Sequence, residues 1–225
     1  MHCNEEMLKF SDFINRLRHN RGFGVQSPSA FFFVTQVLKE RLPYYAYKDI
    51  DRIAQESGVH SKKKCRRLFR IANYLYPKSI IAIGEEAATP LCALAAAVTT
   101  AKITHITSKP VTATAAEEYL TGRINKRLCG DARELLQEHL KENSTLQLLF
   151  IGNDCDIAST LQTALQHADE RTAIIADGIH RNPERLKQWQ EAVETPRTIV
   201  TYDLYSMGLL LFDNKKQKQH YTLLM

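Results

Sequence analysis

The fold of this chain is decided by the stretch SIIAIGEEAATP, residues 79–90. Isoleucines at positions 80, 81 and 83 form a short, uninterrupted apolar run, the pattern of a strand buried on both faces of a parallel sheet. The run ends at Gly84, and Thr89 followed by Pro90 is typical of a helix N-cap and first helical residue. The stretch therefore predicts a strand, a loop and a helix in the order of a nucleotide-binding unit.

After residue 90 the chain alternates between strand and helix patterns, as in an α/β sheet. Strands are predicted near residues 102–107, 126–129, 146–151 and 172–176, with helical patterns between them. Three strand-like segments close the chain at 198–204, 209–212 and 220–224, and two of them are expected to form an antiparallel hairpin. We predict a Rossmann-like fold over residues 79–225 with a mostly parallel seven-stranded sheet, preceded by an N-terminal helical extension over residues 1–78.

Four segments together resemble the class I S-adenosylmethionine-dependent methyltransferases, and in particular the small O-methyltransferase branch. They are IIAIG at 80–84, GDA at 130–132, LFIG at 149–152 and IIAD at 174–177. The resemblance covers roughly residue 68 to the C-terminus and implies that S-adenosylmethionine binds at the loops that follow the strands. The cofactor-binding candidates that it implies are Gly84, Glu85, Glu86, Ser108, Asp131, Ala132 and Gly152.

The first loop and the second strand depart from the pattern of this class. Ala82 stands where an acidic residue usually interacts with the methionine end of the cofactor, and Glu86 replaces one of the later glycines. Glu85 adds a carboxylate that would repel the methionine carboxylate. Ser108 stands where an acid usually accepts from both ribose hydroxyls, which needs two acceptor oxygens. Two interpretations remain open: a methyltransferase with weak or lost activity, or an inactive methyltransferase-like binding or scaffold protein.

Two residues near the end of the fifth strand are candidates for catalysis. Asp177 ends the strand, and His180 follows at a place where an imidazole can act as a general base. In metal-dependent O-methyltransferases, acids after strands four and five bind Mg²⁺ through oxygen. Here Gly152 follows strand four, although Asp154 and Asp156 would lie at the same edge. We expect no metal ion, and Asp156 is interpreted as the N-cap of the next helix.

The first 78 residues lack strand alternation and are rich in aromatic side chains. Ser27 and Pro28 predict the start of a helix that reaches about residue 41. In the class that the chain resembles, N-terminal helices help to form the acceptor pocket, so Tyr44 and Tyr47 are candidate substrate-binding residues. The alternative is an ordinary packing layer of half-buried rings. The apolar face of the predicted helix contains Phe31, Val34, Val37 and Leu38.

A net charge of +5 and the run SKKKCRR at 61–67 raise nucleic acid as a partner. The alternative is a helix capped by Ser61 whose cations form a solvated face, and no recognition-helix, RNP or zinc-finger pattern accompanies the run. The other expected partner is a methyl acceptor, either a small molecule or a protein. The cations that would contact nucleic acid are Lys62, Lys63, Lys64, Arg66 and Arg67.

Composition argues against several other classes of protein. No apolar run approaches the eighteen or so residues that span a bilayer, and the first residues lack the pattern of a signal peptide. We therefore expect a cytoplasmic protein without membrane contact. The five cysteines contain no Cys-x-x-Cys pair, which argues against zinc or redox chemistry. Cys92 and Cys129 are expected to be small core residues.

Overall fold

The computed structural model describes residues 27–142 and 145–225. Its strands are β1 Ser79–Ile83, β2 Lys102–Thr107, β3 Lys126–Cys129, β4 Leu148–Ile151, β5 Ala173–Asp177, β6 Val200–Asp203, β7 Met207–Leu211 and β8 Gln219–Thr222. Its α-helices are α1 Pro28–Phe32, α2 Tyr47–Ser57, α3 Lys62–Leu75, α4 Ala88–Ala97, α5 Ala115–Leu120, α6 Ala132–Glu142, α7 Ile157–His167 and α8 Pro183–Glu194. A π-helical segment, Phe33–Leu38, continues α1.

The strands form one sheet in the order β3-β2-β1-β4-β5-β7-β6-β8. The first five strands are parallel, and β7 runs antiparallel to both β5 and β6. This confirms the predicted α/β fold with a mostly parallel sheet and a C-terminal hairpin, which β6 and β7 form. The third closing segment adds β8 in parallel to the outer side of β6, so the sheet has eight strands rather than seven. Strand pairing depends on distant backbone partners, which a single sequence does not specify.

Helices cover both faces of the sheet. The helices α2, α3 and α4 and the π-helical segment pack on one face, and α6, α7 and α8 pack on the other. The helix α4 is buried throughout residues 88–95, because a helix that is apolar on all sides needs apolar neighbours on all sides. It begins at Ala88 without a side-chain cap, so the prediction that Thr89 is the N-cap is wrong. Thr89 is instead a buried residue of the first turn.

The N-terminal helices follow the prediction with one change of face. Val34, Val37 and Leu38 are buried as expected, but Phe31 is 46% exposed and Phe33 is 3% exposed. A π-helical segment has more residues per turn than an α-helix, which moves the buried stripe away from Phe31. Residues 1–26 of the predicted extension lie outside the described residues, and the domain boundary at residue 78 stays a prediction.

The helices and the positions of two cysteines can be compared with the expectations from composition. Across residues 27–142 and 145–225, no helix has the length and apolar character needed to cross a bilayer. Cys92 is fully buried in α4, as predicted. Cys129 is exposed, so its predicted place in the core is wrong. The reason is that β3 is an edge strand of the sheet.

Candidate functional site

A cleft of about 400 Å³ lies at the carboxyl edge of the sheet, over the ends of β1, β2 and β4. The chain proceeds from β1 towards one edge of the sheet and from β4 towards the other, and α/β folds bind ligands at such a switch point. The volume falls in the range of about 300–1,000 Å³ that is typical of small-molecule sites. Five of the seven predicted cofactor-binding residues line the cleft: Gly84, Glu85, Ser108, Asp131 and Ala132.

Gly84 marks the point where the chain leaves β1 and turns over the sheet. Its φ of +117° is a conformation that side chains disfavour, and its N–H donates to the carbonyl of Ile106 at 3.0 Å. A Cβ at this position would lie 2.5 Å from Oδ1 of Asp154 and 2.8 Å from Sγ of Cys155. The close approach that glycine permits here is therefore filled by side chains of the loop after β4.

Asp154 binds the backbone of the first loop. Its Oδ2 accepts hydrogen bonds from the N–H groups of Glu85 at 2.7 Å and Glu86 at 3.3 Å. Successive backbone N–H groups in a loop are a common anion-binding arrangement. A carboxylate of the chain itself thus takes the place of an anion at this loop. The sequence pattern indicated Asp154 only as a possible metal ligand and gave no signal for this role.

The two glutamates of the first loop have different surroundings. Ser108 Oγ donates to Oε1 of Glu85, which holds the Glu85 carboxylate at the end of β2. From the sequence, the only group expected at the end of β2 was the hydroxyl of Ser108. Glu86 lines a neighbouring cavity of about 500 Å³, and its carbonyl accepts from Nε2 of His60 at 3.0 Å. Glu86 is therefore not part of the cleft lining, in contrast to its predicted place with the cofactor-binding residues.

Asp177 is fully buried at the end of β5 and is paired with Lys64 of α3. Nδ1 of His60 lies 3.7 Å from the second carboxylate oxygen. Apart from Lys64, no hydrogen-bond donor in the described part of the chain meets either oxygen of Asp177, so Lys64 is the main partner of this carboxylate. Asp177 does not line the cleft.

The basic run on α3 is only partly solvated. Ser61 caps the helix as predicted, with its Oγ 3.2 Å from the N–H of Lys64. The prediction that the cations form a solvated face is wrong for Lys64, whose side chain is 12% exposed, and for the buried Arg67. Lys62 and Lys63 remain exposed. The nucleic-acid partner stays a prediction, and it rests on fewer accessible charges than the sequence suggested.

The acidic residues Asp156 and Asp131, near the carboxyl edge of the sheet, accept hydrogen bonds at the starts of two different helices. Asp156 caps α7 as predicted, accepting from the N–H groups of Ala158 and Ser159 at 3.2 Å each. Asp131 caps α6 through the N–H of Glu134 at 2.9 Å. Within the described residues, no three His, Cys, Asp or Glu side chains are grouped so as to hold a metal ion.

His180 forms a pair with Asp203 at the end of β6. Its Nε2 lies 2.8 Å from Asp203 Oδ2, and its ring stacks on Tyr205 with the ring centroids 5.0 Å apart. A carboxylate only accepts hydrogen bonds, so Nε2 of His180 is the donor in this pair. A carboxylate that orients an imidazole in this way is common in general bases. The sequence indicated His180 but not Asp203, because the two are brought together only by the sheet.

Arg185 of α8 joins the loops after β4 and β5. It is 6% exposed and donates to the carbonyls of Gly152 and Cys155 at 2.7 Å each and of Asp177 at 2.9 Å. The Gly152 carbonyl therefore helps to hold the loop beside the cleft. Gly152 was predicted to bind the cofactor, but it does not line the cleft. No sequence pattern indicated Arg185, since the predicted helix α8 shows only a polar residue at this position.

The candidate substrate-binding tyrosines pack with other aromatic rings. Tyr44 and Tyr47 lie 5.3 Å apart between centroids, and each contacts Phe69. Tyr44 Oη donates to Glu40 at 2.8 Å, and burial together with Glu40 raises the pKa of Tyr44 to about 12. This geometry matches the packing-layer alternative for Tyr44. Neither tyrosine lines the cleft, and substrate binding stays a prediction for both.

Two buried histidines hold the carbonyls of the first loop. His60 contacts the carbonyl of Glu86, and Nε2 of His105 in β2 lies 2.9 Å from the carbonyl of Gly84. The pKa of each is lowered, mainly because burial penalises the charged imidazolium. Lys64 lowers the pKa of His60 further, against opposing effects of Asp177 and Glu86. Both histidines are therefore neutral in the folded protein at pH 7. A polar residue among the β-branched residues of KITHIT was the available signal for His105.

We expect the protein to lose stability as the pH falls below about 6.5, the ordinary histidine pKa. The unfolded chain then binds protons that His60 and His105 in the folded protein do not, which favours unfolding. Each histidine contributes a slope of up to about 1.4 kcal/mol per pH unit. Urea unfolding between pH 7.5 and 5.5 measures the slope. The double variant His60→Gln/His105→Gln should show a shallower slope, and an unchanged slope would contradict the assignment.

Solved structures of methyltransferases have the same fold. The O-methyltransferase TomG of Streptomyces achromogenes, in complex with SAM, matches with a TM-score of 0.57 and 16% identity, covering 81% of this chain and 94% of its own. A methyltransferase from Geobacter sulfurreducens matches with a TM-score of 0.59 and 16% identity, over 80% and 94%. The O-methyltransferase from Bacillus cereus, in complex with SAH, matches with a TM-score of 0.56 and 15% identity, over 79% and 96%.

These similarities confirm the predicted class I methyltransferase fold. No protein-family model and no curated protein sequence matches the chain. At identities of 15–16% the structural matches establish the fold, while the chemistry depends on the residues of the cleft.

Proposed function

We propose that the chain is an S-adenosylmethionine-dependent methyltransferase of the O-methyltransferase type that binds its cofactor in the cleft. The observation that carries this proposal is the position of the cleft, at the switch point of a methyltransferase-type sheet and beside a glycine with positive φ. The cleft also contains the carboxylate and hydroxyl groups that can hold a nucleoside. The acceptor would be a small molecule or a protein that carries a hydroxyl group.

Glu85 supplies a carboxylate that the end of β2 lacks. The ribose hydroxyls need an acceptor with two oxygens, and Ser108 alone has one. The contact with Ser108 keeps the Glu85 carboxylate at this strand end, on the lining of the cleft. Glu85 is therefore the residue that would hold the ribose, while Asp131 would lie on the adenine side. The altered loop thus offers a replacement for the lost acid.

Asp154 is the residue of the cleft that would face the methionine end. Its carboxylate lies beside Gly84 and would supply the negative group that Ala82 does not. A carboxylate attracts the α-ammonium group, which opposes the repulsion between Asp154 and the methionine carboxylate. In this arrangement Asp154 takes over the charge that the first strand usually supplies.

Bound in the cleft, S-adenosylmethionine would supply a methyl group activated by its positively charged sulfur. The chain itself has to orient the acceptor and take up the proton that the acceptor hydroxyl loses. His180 fits the second task, because Asp203 fixes its tautomer and stabilises the imidazolium that forms. Arg185 donates to carbonyls in the loops after β4 and β5, which fixes the positions of these two loops relative to each other.

A second candidate function is that of a methyltransferase-like binding protein without turnover. The contact between Asp154 and the amides of Glu85 and Glu86 favours it, because the chain's own carboxylate occupies the loop amides. Ala82 and Ser108 also lack the groups that usually hold the cofactor. In this alternative the cleft would be closed to the cofactor by Asp154, and the sheet would be retained for stability.

Calorimetric titration of ligand-free protein with S-adenosylmethionine and S-adenosylhomocysteine tests the proposal. We expect micromolar binding, and a loss of about tenfold or more in Glu85→Gln, as for the loss of a charge-assisted hydrogen bond. The control Glu86→Gln removes the same charge from the same loop but outside the cleft lining, and should change the affinity less than about twofold. An absence of binding at millimolar ligand would contradict the enzyme and favour the binding protein.

The variant Asp154→Ala separates the two candidate functions. If Asp154 contacts the α-ammonium group, the variant should bind S-adenosylmethionine more weakly than the wild-type protein. If Asp154 only blocks the loop amides, the variant should bind more tightly, because the amides of Glu85 and Glu86 become accessible. The same titration, carried out at one ionic strength, gives the sign of the effect.

A further inference from the structure

Another cavity, which we call the basic cavity, lies beside α3 and the residues after β8. Its volume is about 760 Å³, and six of its lining residues are lysine or arginine, with Glu40 as the acidic side chain. Such an excess of one charge in a concave surface raises the local potential and attracts anions. The basic cavity and the cofactor cleft share no lining residue, so a ligand of the basic cavity does not require S-adenosylmethionine binding.

Two of the arginines in the basic cavity have structural partners. Arg66 forms a two-pronged pair with Asp51, with its Nε 2.9 Å from Oδ1. Arg70 donates to the carbonyls of Val37 at 2.9 Å and Leu38 at 2.7 Å. These carbonyls end the π-helical segment, where a cation is favoured by the helix dipole. The charges of Arg66 and Arg70 are thus accounted for within the fold.

Arg67 lies between them in α3 and has no such partner. It is 8% exposed, and its Nε is buried without a hydrogen-bond partner among the described residues. Burial and the charge of Arg70 lower the pKa of Arg67 to about 10, which leaves it charged at neutral pH, and no carboxylate opposes that effect. Buried polar groups are usually hydrogen-bonded, and a buried charge is expensive unless it is paired. An anion in the basic cavity would remove this cost.

We propose that the basic cavity binds the phosphate group of a small molecule, with Arg67 as the main ligand and Lys63 as a second cation. A guanidinium group matches phosphate oxygens with two parallel hydrogen bonds. Lys63 lies one turn before Arg67 on the same face of α3 and lines the same cavity. The cavity is also large enough for the rest of a small ligand. Tyr47, a candidate for substrate binding, is part of its wall.

Calorimetric titration with sodium pyrophosphate at constant ionic strength tests this proposal. We expect saturable binding to the wild-type protein and a loss of about tenfold or more in Arg67→Gln. Lys63→Gln should lose several-fold, and it should leave folding unchanged because Lys63 is exposed to solvent. The control Lys62→Gln removes one positive charge from the same helix outside the cavity lining, and should change the affinity less than about twofold.

The source of the phosphate is identified by a comparison of ligands. A phosphate monoester such as ribose 5-phosphate should bind more tightly than inorganic phosphate if the rest of the ligand contacts the cavity. Equal affinities would identify free phosphate as the ligand at the same site. Either result supports the site only if the Arg67→Gln variant binds the same ligand more weakly than the wild-type protein does.

Three binding results and one unfolding result would overturn the proposal. One is the absence of saturable pyrophosphate binding at millimolar concentration. Another is an equal loss in Lys62→Gln and Arg67→Gln, which would indicate general attraction to a basic helix. The third is binding of a short single-stranded RNA without binding of pyrophosphate, which would favour a nucleic-acid partner. Without ligand, Arg67→Gln should unfold at an equal or higher temperature, because it removes an uncompensated charge; a lower temperature would assign Arg67 a structural role instead.

Discussion

Replacing Lys64 with methionine is expected to lower the free energy of unfolding by about 3–5 kcal/mol. The variant leaves the fully buried carboxylate of Asp177 without its cation, and no hydrogen-bond donor within the described residues replaces it. A buried charge that loses its partner keeps its desolvation penalty without the compensating attraction. Urea unfolding followed by circular dichroism at pH 8 measures the change.

Two comparisons show whether the buried pair causes this loss. Lys62→Met changes an exposed cation of the same helix and should stay within about 0.5 kcal/mol of the wild-type protein. Lys64→Met/Asp177→Asn removes both charges and should regain part of the stability. In Lys64→Met a protonated His60 can replace the cation, so the loss should be smaller at pH 5.5 than at pH 8. A loss below about 1 kcal/mol at pH 8 would show that Asp177 does not depend on Lys64.

Replacing Arg185 with methionine is the second change with a large expected effect, about 3–5 kcal/mol of unfolding free energy. The variant keeps most of the apolar stem but removes the guanidinium donor of the carbonyls of Cys155 and Asp177. The Gly152 carbonyl also loses this donor and keeps only the N–H of Cys155 at 3.3 Å. Each unsatisfied buried acceptor costs about 1–3 kcal/mol. Because the loop after β4 also carries Asp154, we expect cofactor affinity to fall as well. Urea unfolding and calorimetric titration measure the two effects.

Arg181 provides the matched control for Arg185. It belongs to the same connection between β5 and α8, is exposed, and donates to the carbonyl of Asn153 at 2.9 Å. Arg181→Met should cost less than about 1 kcal/mol, because water can replace the lost donor. Arg185→Lys should lie between Arg185→Met and the wild-type protein, since one ammonium group cannot match three carbonyls. Equal losses in Arg181→Met and Arg185→Met would contradict the assigned role of Arg185.

The parts of the site that depend on strand order could be predicted from the sequence. The carboxyl ends of parallel strands meet at one edge, so Gly84, Ser108 and Asp131 were expected to lie together, and they line one cleft. The roles of Glu85 and Asp154 within that cleft could not be predicted. Glu85 contacts Ser108 across 23 positions and Asp154 across 69 positions of sequence, and such contacts depend on how the loops are folded over the sheet.

The basic run of α3 is a second case in which the sequence predicted the helix but not the contacts of its side chains. The helix and its cap at Ser61 were predictable, because the cap bonds an N–H group three residues away. The sequence pattern suggested a solvated row of cations. Instead, α3 packs so that Lys64 reaches Asp177 and Arg67 is buried in the wall of the basic cavity. A charge pattern shows which residues are cationic, but only the docking of the helix shows which of them meet a carboxylate.

The sequence by itself determined the alternation of strands and helices, the caps at Ser61 and Asp156 and the glycine turn after β1, because these depend on residues a few positions apart. Tertiary structure alone decided the pairing of β8 with β6, the burial of Lys64 against Asp177 and the contact of Asp154 with the first loop. Each of these joins segments that are distant in sequence, and its energy depends on desolvation, which exists only once the elements have packed.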